Sequence, residues 1–233
     1  METTAYIDNI PYQIEEGETI LDFVRRNKGR ELVPTLCQAD NLMNYGSCRV
    51  CSVEVALKKD GPSRVMASCH TPVANGYYIY PSTEKIKKLR KNIIELVLSD
   101  YPSGRIHPEA GKLPTEFQKV IASIGIPVVR YPEDRQVTKT HPDRSHPYVW
   151  SDLDECIKCY RCVRACEANG TKAIELVGRG FDRHVAPPYE METDACIGCL
   201  SCATVCPTGK ITYEESPGKR KIWHKEFDVL QCR

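Results

Sequence analysis

Eight of the chain's thirteen cysteines fall into two copies of one short pattern, Cys156-x2-Cys159-x2-Cys162-x3-Cys166 and Cys196-x2-Cys199-x2-Cys202-x3-Cys206-Pro207. Two-residue gaps let three thiolates grip three corners of an iron–sulfur cube from one tight loop. The fourth thiolate, after a three-residue gap, starts a helix that aims it at the other cube. The expected ligand sets are therefore crossed. Cys156, Cys159, Cys162 and Cys206 hold one [4Fe–4S] cluster, and Cys196, Cys199, Cys202 and Cys166 hold the other. Crossing sets the cubes close enough to exchange electrons. Zinc is the competing occupant, but zinc motifs pair two CxxC hooks and have no use for three cysteines in succession. Glu167 stands where proline follows the second motif, which leaves room for the insertion EANGTKAIELVGRGF.

A second set, Cys37-x10-Cys48-x2-Cys51-x17-Cys69, lies in the amino-terminal part. Four thiolates in one small domain suit a [2Fe–2S] cluster, with a pair on each iron. Gly46 and Ser47 leave the backbone room to bring N–H groups up to sulfur. Spacing alone leaves zinc open here; the strand-turn-strand context and the neighbouring cubes favour the cluster.

Local patterns surround these sets with an α+β chain. TAYIDN and PYQIEE read as strands about a turn at Asp8-Asn9. Thr19 and Asp22 form a capping box ahead of Ile20, Leu21, Phe23 and Val24. Cys51, Val53, Val55 and Leu57 alternate with Ser52, Glu54 and Ala56 as a strand, and after Asp60-Gly61-Pro62 the run RVMAS returns as its partner. Residues 83–98 predict an amphipathic helix with Ile86, Leu89, Ile93, Leu96 and Val97 on one face. Lys85, Lys87, Lys88, Arg90 and Lys91 make its solvated remainder. Thr115 and Gln118 cap a second helix, with Phe117, Val120, Ile121 and Ile124 buried and Gly125 closing it. Residues 127–150 read as an extended connector. The division expected is 1–80 for a β-grasp [2Fe–2S] domain, 81–150 for a helical linker, 151–212 for a two-[4Fe–4S] bacterial ferredoxin-like domain and 213–233 for a polar tail.

Composition excludes other classes. The 32 basic and 31 acidic residues nearly cancel, so nucleic acid is not an expected partner. No apolar run reaches the roughly eighteen residues of a membrane span. The polar amino terminus carries no apolar signal-peptide core, and the residues after Arg25-Arg26 do not continue as a twin-arginine signal, so a cytoplasmic location is expected. No GxGxxG or Walker pattern occurs, and Gly178-Arg179-Gly180 is too short for one, so NAD and flavin belong to another chain. His70 and Cys232 are read as a histidine without redox role and a spare thiol, and Trp223 and Phe227 as a docking pair. No catalytic residue is expected, because the chemistry is one-electron transfer.

PTLC at 34–37, YGSCRVCSVEV at 45–55, ASC at 67–69, RYPEDR, DECIKCYRCVRACE, VGRGF and CIGCLSCATVCPTG together resemble a known family. It comprises the iron–sulfur region of complex I's large iron–sulfur subunit, the small diaphorase subunit of NAD-linked hydrogenases and the amino-terminal part of iron-only hydrogenases. The resemblance covers most of residues 5–212 and is strongest, in length and domain order, to the diaphorase subunit. It implies a β-grasp domain, a linker, a ferredoxin-like module and a flavin-containing NAD(P)H-oxidising partner. The far end of the relay would be a hydrogenase or a molybdenum- or tungsten-dependent formate dehydrogenase. One departure stands out. Family members carry a His-x3-Cys-x2-Cys-x5-Cys site for a further [4Fe–4S] cluster after the long helix, whereas SDYPSGRIHPEAGKLPTEFQ has no cysteine and Tyr101 in place of the histidine. His107 alone cannot hold a cube, so that cluster is expected to be missing. A freestanding multi-cluster carrier is the alternative. A succinate dehydrogenase-like subunit fits less well, because its first cysteine loop is shorter.

Overall fold

Asp8 and Asn9 both take positive φ, 49° and 68°, the two-residue turn whose twist matches a tight hairpin. It joins β1 (Thr4–Ile7) to β2 (Ile10–Gln13), paired antiparallel from Thr4↔Gln13 to Ile7↔Ile10. In this computed structural model the described residues are 3–108, 112–125, 130, 149–151, 153–180, 183–187 and 195–213. They belong to two compact units, Met1–Asp134 and Arg135–Arg233.

In the first unit, α1 (Ile20–Lys28) begins at a complete capping box: Thr19 accepts from the Asp22 N–H while the Asp22 carboxylate accepts from the Thr19 N–H. Its apolar residues Ile20, Leu21, Phe23 and Val24 pack into one core with Ala5, Ile7, Val53, Val55 and Ile79. The sheet they cover adds β3 (Ser52–Ala56), β4 (Ser63–Ala67) and β5 (Tyr78–Tyr80), in the order β2-β1-β5-β3-β4. β5 runs parallel to β1 and antiparallel to β3. This is the β-grasp arrangement. Three residues are too few for periodicity to reveal β5; pairing on both sides makes it a strand, and the Tyr6 and Tyr78 rings stack across it at 4.3 Å.

The alternation along β3 does not produce one wet face. All five residues are buried, because α2 (Glu84–Leu98) covers the polar side with matching polar groups. Glu54 accepts from Ser63 Oγ at 2.7 Å, from Thr83 Oγ1 at 2.6 Å and from Lys85 Nζ at 2.9 Å. Thr83 is also the N-cap of α2, so one carboxylate ties the helix start to the sheet.

The buried stripe of α2 differs from the apolar one expected. Ile86, Arg90, Ile94, Glu95 and Leu98 are inside, whereas Leu96 is 55% exposed. Arg90, expected in solvent, is 5% exposed because its guanidinium finds backbone carbonyls to bind, which removes the cost of an unpaired buried donor. Glu95 is held by Arg130, which also donates to Asn92. Next, α3 (Glu116–Ile124) has the Thr115–Gln118 capping box and ends at Gly125 in the left-handed conformation. Phe117, fully buried, meets Tyr101 edge-on at 5.1 Å, and Tyr101 is 3% exposed. Tyr101, where the resemblance would place a histidine, is thus an aromatic packing residue, and His107 is exposed.

The second unit repeats its architecture as it repeats its sequence. The antiparallel pair β6 (Val149–Ser151) and β9 (Ile211–Tyr213) and the pair β7 (Glu175–Val177) and β8 (His184–Ala186) accompany α4 (Arg161–Ala168) and α5 (Ser201–Thr204). The end of the expected connector, 149–150, is therefore strand; most of its remaining residues lie outside the described ones, as do Cys232, Trp223 and Phe227. Asn169 Nδ2 donates to Ser201 Oγ at 2.7 Å, joining the end of α4 to the start of α5.

The Thr83, Ser63 and Lys85 hydrogen bonds hold the Glu54 carboxyl down at about 2. A depressed acid stabilises the fold above its ordinary value near 4.5 and loses that contribution as pH falls toward about 2. We expect Glu54→Gln to lower the urea midpoint at pH 7. The gap to wild type should narrow below about pH 4.5 and close near pH 2; a pH-independent gap would contradict this.

Candidate metal centres

In the first unit three cysteines are almost sealed: Cys37 and Cys51 are 1% exposed and Cys69 is 0%, while Cys48 is half-buried. They come from three places, the loop after α1, the entry to β3 and the exit from β4. Gly46 supplies the one left-handed residue in the YGSC stretch, φ 70°, and a Cβ there would lie 3.6 Å from His70. The turn thus lays residues 46–48 beside the 69–70 corner. His70 itself is exposed.

The thiols perturb one another strongly. Cys37 is drawn far down because the Cys48 and Cys69 thiols donate to its sulfur. Cys48 is pushed up as donor to Cys37, and burial adds to this. Cys69 is pushed up as donor to Cys37 and Cys51, and Cys51 is lowered to about 6 by that bond from Cys69. Four sulfurs therefore share one small volume. Backbone N–H groups also turn toward them: the Cys37 N–H donates to Cys48 Sγ at 3.4 Å, Val50 N–H also serves Cys48 and Cys69 N–H serves Cys51.

Buried polar residues fix these loops. Ser68, fully buried, donates to the Cys51 carbonyl at 2.6 Å. Arg25 reaches from α1 to Thr35 at 3.0 Å and Gln38 at 3.1 Å, on either side of Cys37. Sequence reasoning assigned none of them to the site, since only contacts distant in the chain give them this role.

In the second unit the repeat persists down to backbone dihedrals. Lys158 and Gly198 have φ of 54° and 66°, and Tyr160 and Leu200 have 68° and 61°. Each loop thus makes the same pair of left-handed turns between its cysteines. Such turns aim N–H groups inward, and the Lys158 N–H lies 3.4 Å from Cys156 Sγ. The remote cysteines have threonine neighbours that the motif does not reveal. Thr171 Oγ1 lies 3.0 Å from Cys166 Sγ, where the Ala173 N–H also donates at 3.2 Å, and Thr208 Oγ1 lies 3.4 Å from Cys206 Sγ.

Among the described residues no group of three or more His, Cys, Asp or Glu is drawn in to hold a single metal ion. A cube spreads its ligand sulfurs around a cage, so the informative test is which sulfurs share a hollow. Cys156, Cys159, Cys162 and Cys206 line one cavity together, with Tyr160, Val185, Pro207 and Ile211 among its walls. Burial pushes the Cys159 thiol up to about 12, and Cys156 and Cys206 are among the charges that add to this. Burial likewise takes Cys202 up to about 12, and its charged neighbours are Cys199, Cys196 and Cys166. Cys159 thus feels one sulfur of its own motif and one of the other, and Cys202 two of its own and one of the other. An inward N–H group and four sulfurs lining one hollow fit an iron–sulfur cluster.

Comparison with known proteins agrees with this geometry. Residues 1–84 match the 2Fe-2S iron-sulfur cluster binding domain and residues 150–213 the 4Fe-4S dicluster domain. The fold and sites define an iron–sulfur protein of two modules. An NADH-quinone oxidoreductase subunit of Rhizobium meliloti (strain 1021) is 30% identical over 93% of this chain and 25% of its own length. The NADP-reducing hydrogenase subunit HndD of Solidesulfovibrio fructosivorans is 32% identical over 91% of this chain and 36% of its own length. The chain thus spans about a quarter to a third of these curated relatives. A chain of an NAD+-reducing [NiFe]-hydrogenase crystallised in its H2-reduced state is similar at 25% identity and TM-score 0.72, over 97% of this chain and 95% of that one. Over nearly its whole length the chain is thus similar to subunits of NAD(P)-linked hydrogenases and of an NADH-quinone oxidoreductase.

Removing the Ser68 hydroxyl should show how far buried polar contacts hold the first site. Ser68→Ala takes the hydroxyl donor from the buried Cys51 carbonyl, which keeps the Ser68 N–H at 3.4 Å, and a loss of about 0.5–1.5 kcal/mol is expected in chemical denaturation. A loss below about 0.5 kcal/mol would mean that the contact contributes little.

Proposed function

We propose that the chain is an electron-relay subunit of a cytoplasmic oxidoreductase complex, carrying one [2Fe–2S] and two [4Fe–4S] clusters. In this reading Cys37, Cys48, Cys51 and Cys69 hold the [2Fe–2S] cluster. Cys156, Cys159, Cys162 and Cys206 hold one cube, and Cys196, Cys199, Cys202 and Cys166 the other. When bound, the clusters supply one-electron transfer at iron. The chain's own residues exclude water, donate N–H and threonine O–H groups to sulfur, and fix the distances between the thiolates.

The observation that carries this reading is the cavity lined jointly by Cys156, Cys159, Cys162 and Cys206. A site built from both repeats makes sense when two cages must lie side by side. Partners follow from the relatives' names and from what this chain lacks: with no nucleotide fingerprint of its own, it relies on a flavin-containing NAD(P)H-oxidising subunit. A hydrogenase or a formate dehydrogenase-type subunit stands at the other end. The cytoplasmic placement accords with the absence, among the described residues, of a helix long and apolar enough to cross a membrane.

Anaerobic purification should yield a brown protein with about ten iron atoms and about ten acid-labile sulfides per chain. Stoichiometric zinc without sulfide would sink the proposal, and about fourteen iron atoms would mean a further cube. The crossing has its own test. Cys206→Ala and Cys159→Ala should leave the same surviving cube spectrum, and Cys166→Ala and Cys199→Ala should leave the other. If Cys206→Ala instead pairs with Cys199→Ala, the ligand sets are uncrossed. Native size-exclusion chromatography should show the chain travelling with flavin; elution alone near 26 kDa would favour a diffusing carrier.

A further inference from the structure

Arg90 presents an unusual balance of charge. It is 5% exposed, yet among the described residues no carboxylate forms an ion pair with it. Its donors go to carbonyls: Nε to Val50 at 3.1 Å, Nη2 to Ser52 at 2.8 Å and Nη1 to Leu32 at 3.4 Å. Two of those carbonyls flank Cys51, and the carbonyl of Cys51 itself is held by Ser68 at 2.6 Å. A buried cation with only neutral partners is costly unless an anion lies nearby. The charge whose field Arg90 feels is the Cys51 thiolate.

The [2Fe–2S] assignment above provides such an anion. An oxidised cluster with four thiolates, two sulfides and two ferric ions is a net dianion, and one-electron reduction adds a further negative charge. A fixed positive charge beside it favours the reduced form. The carbonyl contacts add a second effect, since dipoles bound to Arg90 have their negative ends turned toward the guanidinium and not toward sulfur. We propose that Arg90 is the positioning residue of the [2Fe–2S] site, fixing the Cys51 segment from α2 and raising the cluster's reduction potential by its charge. This inference rests on the cluster assignment.

The test is an anaerobic potentiometric titration of the full chain, following the [2Fe–2S] EPR signal in wild type, Arg90→Lys and Arg90→Met. In Arg90→Met the equilibrium constant for reduction should fall about tenfold, a shift of about 59 mV downward for one electron. Arg90→Lys, which keeps the charge and loses the fork, should shift less than half as far, and the cube potentials should not move. Where Arg90→Met fails to assemble, Arg90→Gln carries the same test as a neutral side chain that still donates to a carbonyl. An unchanged potential in the neutral variants, with the signal intact, would overturn the proposal. So would a lysine variant as low as the neutral one, since geometry and not charge would then be acting. A wild-type chain with no [2Fe–2S] signal would instead bring down the assignment beneath it.

Discussion

Thiolates placed together away from water repel one another, and this constraint governs both units. Burial and neighbouring sulfur push Cys159 and Cys202 to about 12, so without metal these side chains are neutral thiols. Ferric and ferrous iron convert that repulsion into attraction. In the second unit the buried cluster of Cys162, Val163 and Val185 has Cys156 and Cys202 packed on it, so the sulfur array occupies the place of an apolar core. Domains this small bury too little hydrocarbon to fold comfortably alone, and metal binding supplies what is missing.

The first unit solves the same problem with a conventional core and a set of polar clamps. α1 and the sheet bury aliphatic side chains around Phe23, while Arg25, Ser68 and Arg90 secure the segments that carry cysteine. Helix α2 is central to this. One of its ends is tied to β3 through Thr83, Lys85 and Glu54, its middle reaches the Cys51 segment through Arg90, and Glu95 is bound by Arg130. Helices usually dock by an apolar stripe; here a row of buried hydrogen-bonding groups lies alongside it, which fixes register as well as contact.

After α2, where the resemblance places a motif for a further cube, residues 99–118 hold no cysteine. In its place Tyr101 packs on Phe117 beside the end of the helix. An aromatic pair and a capped helix fill and hold that space.

The cysteine spacing by itself determined the kind of chemistry, because iron–sulfur cages demand thiolates at fixed intervals along tight loops. Capping residues and turn pairs such as Thr19–Asp22 and Asp8-Asn9 set most element boundaries, since those interactions are local in the chain. Three things required the folded chain. Strand β5 exists through its partners, the buried face of α2 was set by carbonyls forty residues away in sequence, and Ser68 and Arg90 acquired their places on the Cys51 segment only when distant segments met. Local rules report what a residue can do with its neighbours in sequence; burial and long-range pairing decide which charges and donors face the metal.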